Sequence, residues 1–244
     1  MRADEVTVVV PTYNERENLE AMVEAVLAHG YRLLIVDDGS PDGTGSLADR
    51  LETVHQLLQV LHRPVKEGLG PAYAAGFQTA LARGARVICE MDADFSHDPN
   101  DLPRLVDVVA SGEADVAIGS RYVPGGSTPD WPFHRRFLSQ GGNLYARLML
   151  GLAVRDATAG FRAYRSGSLA ELRAETCQAS GYGFQVELAW RATRRGLRII
   201  EVPIVFRDRV YGESKMKGRI VAEAMWLVTK WGVRRRWDRT GDRP

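Results

Sequence analysis

Cysteine is nearly missing from this 244-residue chain, which has only Cys89 and Cys177. The two stand far apart without metal-ligand spacing, so neither a zinc site nor a disulfide framework is indicated, and a reducing compartment is the default. Long apolar runs are missing too. None reaches the roughly 18 residues of a membrane-spanning helix, because Arg147 and Arg155 interrupt one stretch and Lys230 another. The opening Met1-Arg2-Ala3-Asp4-Glu5 leads into a strand-like run without the apolar core of a signal peptide. There is no Gly-rich loop of the P-loop or dinucleotide type, which disfavours ATP hydrolysis and hydride transfer. No Ser-His-Asp arrangement, internal repeat or low-complexity segment is evident. Nor is there an excess of one charge: 32 Lys and Arg face 31 Asp and Glu, for a net +1 that excludes no partner. The expectation is a cytoplasmic protein, soluble or peripheral to a membrane.

The distribution of charge says more than its sum. From Arg207 to the end there are eleven basic and five acidic residues. A basic end on an acidic body suits an anionic partner, although it also describes a solvated helix face.

What the chain does have is alternation. Val6 to Val10 reads as a buried strand, and Asn14 with Glu17 reads as a capping-box helix start. Leu19, Met22, Val23, Val26 and Leu27 follow helical spacing until Gly30. Leu33 to Val36 and Leu57 to Leu61 read as strands, with a helix between them from about Thr44. A small-residue helix (Ala72, Ala74, Ala75, Gly76, Ala80) precedes an apolar strand ending in Glu90-Met91-Asp92-Ala93-Asp94. A helix over Pro99 to Ser111 and a strand over Val116 to Gly119 follow. Strands alternating with helices predict an α/β fold with a mostly parallel sheet covered on both faces.

The alternation stops after Ser120. Residues 122–134 hold three Pro and two Gly and read as a mobile loop. Helices are predicted over Arg135 to Leu150 and Glu187 to Arg195, and a strand over Ile199 to Phe206. In the segment Ile220 to Trp237, residues Ile220, Val221, Ala224, Leu227, Val228 and Trp231 share one broad face.

Three strand ends bring polar groups to one edge of the sheet, where open α/β sheets bind ligands. Pro11 to Glu15 offer an aromatic, an amide and a carboxylate for a nucleobase. Asp37-Asp38 can take ribose hydroxyls. On extended backbone Asp92 and Asp94 would face one point, and two hard oxygen donors suit Mg²⁺ or Mn²⁺ shared with phosphates. Alone, such a pair also describes two solvated turn carboxylates. His97 reads as a turn residue opening a helix with Asp98-Pro99 rather than as a third ligand.

Val8-Val9-Val10-Pro11-Thr12-Tyr13-Asn14-Glu15, Val36-Asp37-Asp38-Gly39-Ser40-Pro41-Asp42-Gly43-Thr44 and Met91-Asp92-Ala93-Asp94 resemble the three signatures of family 2 glycosyltransferases with a GT-A fold. Gly119-Ser120-Arg121-Tyr122, Arg135-Arg136-Phe137-Leu138-Ser139, Thr158-Ala159-Gly160-Phe161-Arg162 and Asp208-Arg209-Val210-Tyr211-Gly212-Glu213-Ser214-Lys215 narrow the resemblance to dolichol-phosphate (polyprenol-phosphate) mannose synthases. It spans about residues 5 to 230.

The resemblance implies a Rossmann-like GT-A domain over residues 1–218, including an acceptor loop and interfacial helix within 120–165. A basic amphipathic helix and tail would occupy 219–244. It further implies that Pro11, Tyr13, Glu15, Val36 and Asp38 bind the guanosine part of GDP-mannose, with Ala93 beside the diphosphate. Asp92, Asp94 and, less directly, Ser96 would hold Mg²⁺ or Mn²⁺; some relatives have Gln where Ser96 stands. Arg121, Arg135, Arg136, Ser139 and Arg209 would bind the phosphate of a polyprenyl acceptor, and Lys215 the donor diphosphate. Asp94, Arg121 and Arg209 would stand nearest the chemistry.

These residue types suit that reaction. A phosphate monoester has its second pKa at about 6 and is already a nucleophile near neutrality, so it needs guanidinium forks rather than a general base. The resemblance implies single displacement with inversion. Its rivals are the same chemistry with UDP-glucose, a mannose donor with another acceptor, or a non-catalytic nucleotide-sugar-binding partner of a membrane enzyme. A phosphatase using Asp92 lacks its helper motifs. The terminal helix either packs on the body or sets Trp226, Trp231 and Trp237 with Arg234 to Arg236 on an anionic bilayer. Arg135 to Leu150 is a second segment for the lipid headgroups. No nucleic-acid partner is expected, and a separate membrane protein that anchors the chain is a further possible partner.

Overall fold

The computed structural model describes residues 1–179, 181–208 and 218–240. The described strands form one seven-stranded sheet: β1 (Val6–Thr12), β2 (Arg32–Asp37), β3 (Leu58–His62), β4 (Val87–Glu90), β5 (Val116–Ser120), β6 (Arg162–Arg165) and β7 (Ile199–Pro203). Their spatial order is β3-β2-β1-β4-β6-β5-β7. Every pairing is parallel except the two made by β6, which runs antiparallel between β4 and β5.

The period-2 pleat divides the apolar residues between two cores. Val6, Val8, Val10, Leu33 and Ile35 face α1 (Arg16–Leu27), α2 (Thr44–Val54) and α4 (Leu102–Ala110). Val9, Leu34, Val36 and Ile88 face the other side. That side is covered by α3 (Leu69–Ala82), α5 (Phe133–Leu150), α6 (Ser166–Leu172), α7 (Tyr182–Arg194) and α8 (Gly218–Thr240). This is the mostly parallel, doubly covered sheet that the alternation predicts.

Three local expectations need correction, and one strand was not expected. The Asn14–Glu17 capping box does not form: Asn14 has φ 57°, and Glu15 is the N-cap without a side-chain cap bond. The amides entering α1 are met from another loop, by Ser40 Oγ (3.0 Å), Thr44 Oγ1 (3.1 Å) and Asp42 Oδ2 (3.4 Å). Strand β4 stops at Glu90, so Asp92 follows the strand and Asp94 lies in the turn that begins at Ala93, not both on one strand. Strand β6 went unread, since four residues bounded by two arginines carry little strand signal. Residues 122–132 are irregular but pinned, and 133–134 already belong to α5: Ser127 bridges Val205, and Thr128 and Trp131 are buried.

The terminal helix joins the body. Leu227, Val228 and Trp231 are buried in the second core, and Trp231 stacks on Trp190 at 5.2 Å. Trp226 stays 62% exposed. Trp237, Arg235 and Arg236 lie outside the side chains the structure describes.

The small-residue helix α3 packs as expected. A Cβ at Gly76 would sit 2.4 Å from Val9 Cγ1 in the central strand. Helix propensity would favour Gly76→Ala by about 1 kcal/mol, but overpacking costs roughly 1–3 kcal/mol. The variant is expected to unfold at lower denaturant; an unchanged or raised midpoint would show that the contact yields.

Candidate active site

At the C-terminal edge of the sheet the residues expected to take the donor are held by one another. Thr12 donates to Asp37 (3.4 Å), and the Asp38 amide donates to the Thr12 carbonyl (2.9 Å). Asp38 is buried and accepts from Arg63 and from the Gly68 amide (3.1 Å). The loop after β3 therefore closes down on the expected ribose-binding carboxylate. From the same loop, the Lys66 ammonium lies 3.5 Å from the centroid of the Tyr13 ring. Glu15 accepts from Asn18 (3.0 Å). The Val36 side chain is buried in the sheet beneath Gly76, so only its backbone can face a ligand, and Pro11 is half-buried beside it.

The acidic turn follows β4. Asp92 accepts from the buried Tyr73 hydroxyl at 3.2 Å. Tyr73's own pKa is well above normal, first because of burial and then because of Asp92. Asp94 is buried and accepts from the Ser96 amide (3.1 Å). Ala93 is buried between the two. The Ser96 hydroxyl is enclosed with no hydrogen-bond partner among the described residues. Two carboxylates with an unmet hydroxyl form a hard-oxygen donor set that fits Mg²⁺ or Mn²⁺. No group of three His, Cys, Asp or Glu suited to a metal occurs among the described residues. Any further ligands would come from phosphates and water.

His97 is a core residue more than a turn residue. It is buried, stacks on Phe161 at 5.1 Å and meets Phe206 edge-on at 5.2 Å. Burial pushes its pKa down to about 4, with Asp94, Arg121 and Asp156 all acting on it. The acidic turn and the Arg121 pair thus lie within electrostatic reach of one ring.

The opposite rim is built on Arg121. Its guanidinium makes a buried fork with Asp156 (Nε to Oδ2 2.7 Å, Nη2 to Oδ1 2.7 Å) and donates to Thr158 Oγ1 (2.8 Å). Burial raises the Asp156 pKa, but the Arg121 charge and hydrogen bonds outweigh it and hold the carboxyl below its usual value. Glu201 accepts from the amides of Arg155 (2.7 Å) and Asp156 (2.9 Å), which fixes that loop. Asn143 of α5 donates to Thr158 Oγ1 (3.0 Å), and Tyr122 donates to Ser139 (2.7 Å). Arg135 pairs with Asp208 at 2.6 Å, and Arg136 donates to the Thr128 carbonyl (3.1 Å).

The two rims meet at Gly160, where a Cβ would lie 3.8 Å from Asp92 Oδ2. Arg162 of the same motif binds no outer group. It is buried and donates to the carbonyls of Ala157 (2.8 Å), Ala159 (2.9 Å) and Gln185 (3.1 Å), beside Glu90 at 3.4 Å. Burial pushes the Glu90 pKa up to about 7, against the lowering effects of Arg162 and Tyr164. Arg209 and Lys215 lie outside the described residues.

Sequence reasoning missed Arg63, Lys66, Tyr73, Asp156 and Trp131. Arg63 and Lys66 follow a parallel strand, so the sheet-edge rule already pointed to them. Asp156 and Trp131 sit in loops whose partners no spacing discloses.

A family model described as glycosyl transferase family 2 matches residues 7–173. Polyprenol monophosphomannose synthase of Mycolicibacterium smegmatis is 50% identical over 235 residues, covering 95% of this chain and 88% of that protein. Undecaprenyl-phosphate mannosyltransferase of Micrococcus luteus is 49% identical over 237 residues, covering 96% of each. Among solved structures, glucosyl-3-phosphoglycerate synthase of Mycobacterium tuberculosis with Mn²⁺, UDP and glucosyl-3-phosphoglycerate is similar at TM-score 0.64 and 21% identity, over 91% of this chain and 76% of that one. A mannosyltransferase of Pyrobaculum calidifontis with GDP-Man and Mn²⁺ is similar at TM-score 0.55 and 16% identity, over 100% and 77%. These structural likenesses show the fold.

Breaking the Arg121–Asp156 fork leaves a buried guanidinium unpaired. Asp156→Ala is expected to cost about 3–5 kcal/mol of stability, and Thr158→Val about 1 kcal/mol, both read by denaturant unfolding. A loss for Asp156→Ala no greater than that of Thr158→Val would mean that the fork does not hold this rim.

Proposed function

We propose a reaction for this chain on one premise: it belongs to glycosyl transferase family 2. It is a glycosyltransferase that moves mannose from a sugar nucleotide to the phosphate of a polyprenyl phosphate. The observation that carries the reading is the meeting, at one sheet edge, of a hard-oxygen acidic turn and an arginine rim joined through the Gly160 loop. Two relatives about half identical over nearly the whole chain support it, since both names specify mannose and a polyprenyl acceptor. We propose GDP-mannose as the donor on the motif resemblance.

In this reading Pro11, Tyr13, Glu15 and Asp38 seat the nucleoside. Asp92, Asp94 and Ser96 would hold Mg²⁺ or Mn²⁺, whose charge stabilises the departing nucleoside diphosphate. Arg121, Arg135 and Arg136, with Ser139, hold the acceptor phosphate in line with the anomeric carbon. No general base is required: the acceptor dianion attacks directly, and His97 is enclosed and neutral. Arg209 and Lys215 keep their inferred roles on acceptor and diphosphate.

The lipid acceptor implies a place at a membrane. No helix of the described residues is long and apolar enough to cross one. Helix α5 instead shows a stripe of Phe133, Phe137, Leu144 and Leu148, each at least 52% exposed, while Asn143, Ala146 and Leu150 face inward. Such a helix suits the interfacial plane. With Met225 and Trp226 exposed on α8, we propose that the chain docks peripherally on the cytoplasmic face of a membrane.

With labelled GDP-mannose, polyprenyl phosphate and Mg²⁺, label is expected to enter organic-soluble lipid; free mannose phosphate or no turnover would favour a rival reading. Asp94→Asn should lower turnover about 100- to 1000-fold with unchanged melting, and full activity would remove the metal assignment. Phe133→Asp with Phe137→Asp should abolish sedimentation with anionic vesicles while sparing transfer to a short, soluble prenyl phosphate. Undiminished sedimentation would place the docking surface elsewhere.

A further inference from the structure

We propose, resting on the acceptor site inferred above, that Trp131 is an acceptor-binding residue whose indole N–H donates to a phosphate oxygen of the polyprenyl phosphate. Trp131 is 8% exposed, and its Nε1 is enclosed without a hydrogen-bond partner among the described residues. An indole nitrogen can only donate, and a buried donor with nothing to donate to calls for an explanation. Its surroundings supply one. The Arg135 guanidinium carbon lies 4.1 Å from the Trp131 ring centroid and that of Arg121 lies 5.4 Å away. Cations over the face of an indole are attracted by its quadrupole, so the ring that carries this unmet N–H gathers both arginines. A group that accepts hydrogen bonds and carries negative charge completes this arrangement, and a phosphate dianion is both.

The ring is fixed in advance. Phe206 packs against it edge-on at 5.4 Å, and the Trp131 amide donates to the Thr128 carbonyl (3.3 Å). The neighbouring Ser127 is bridged to Val205. The carboxylates already present do not compete equally. Asp156 is buried in its fork with Arg121 and stays there, whereas the Asp208 side chain is 46% exposed, so its pair with Arg135 gives way easily. Trp131 takes no part in bond making. It holds a non-attacking oxygen, so its contribution falls on acceptor binding.

The test uses the full chain labelled with ¹⁵N at its tryptophans. Five tryptophans give five indole resonances; that of Trp131 is the one lost in Trp131→Phe. A short, soluble prenyl phosphate should move this resonance downfield, and the matching prenol without phosphate should not. Trp131→Phe keeps an aromatic face for both arginines and removes the donor, at the cost of some ring volume. It should raise the KM for the acceptor about ten-fold, as loss of one hydrogen bond to a charged group does, with the donor KM unchanged. A still indole at saturating prenyl phosphate, or an unaltered acceptor KM in Trp131→Phe, overturns the assignment and leaves the N–H to a buried water. Should Trp131→Phe not fold, replacing the other tryptophans singly assigns the same resonance. A shift without any mannosyl transfer keeps the phosphate site and removes the reaction; transfer with a silent indole does the reverse.

Discussion

One buried guanidinium, that of Arg162, decides whether the two sides of this site face each other. It lies at the first residue of β6, opposite Glu90 at the last residue of β4. Its donors reach three backbone carbonyls, two of them in the loop that precedes it. Loop carbonyls seldom find interior partners, and a buried charge is tolerated only when paired and fully hydrogen-bonded. Arg162 answers both needs together. The loop it folds carries Asp156 and Thr158, which hold Arg121, and Gly160, which lies beside Asp92. Without that inward arginine the acidic turn and the arginine rim would be separate features of a sheet edge.

The charges follow the same logic. In the proposed reaction a near-neutral chain binds two anions that repel each other, a sugar nucleotide and a phosphate monoester. Raw positive charge at the centre would not distinguish them. Instead the guanidiniums are held against carboxylates of graded exposure, from the buried Asp156 to the half-exposed Asp208. The first fixes geometry; the second is a surface pair of small net worth that an incoming anion can displace. The edge expected to take the donor repeats the arrangement, with Arg63 held between the buried Asp38 and the exposed Glu67.

Much of this was legible beforehand. Strands β1 to β5 and β7 showed as apolar runs ending in polar turns, and the Asp92–Asp94 and Asp38 positions showed as strand-end residues, whereas Arg121 showed only through the motif resemblance. The illegible part has a common cause. Strand β6 is short and opens on an arginine whose partner, Glu90, lies far away in sequence. Asn14 looked like a cap because cap spacing is local, whereas the acceptors that replaced it, Ser40, Asp42 and Thr44, come from another loop. Trp231 read more as a bilayer residue than a core one, and its burial and its stack on Trp190 send it inward.

By itself the sequence determined the period of every strand but β6, the direction of the parallel strands and hence the edge at which their polar ends gather, because periodicity and crossover rules act over a few residues. Only the tertiary structure decided which carboxylate each arginine meets, which tryptophans are enclosed and whether the two rims share a face. Those outcomes depend on burial and on contacts between residues far apart in the chain, and desolvation, unlike periodicity, has no spacing to read.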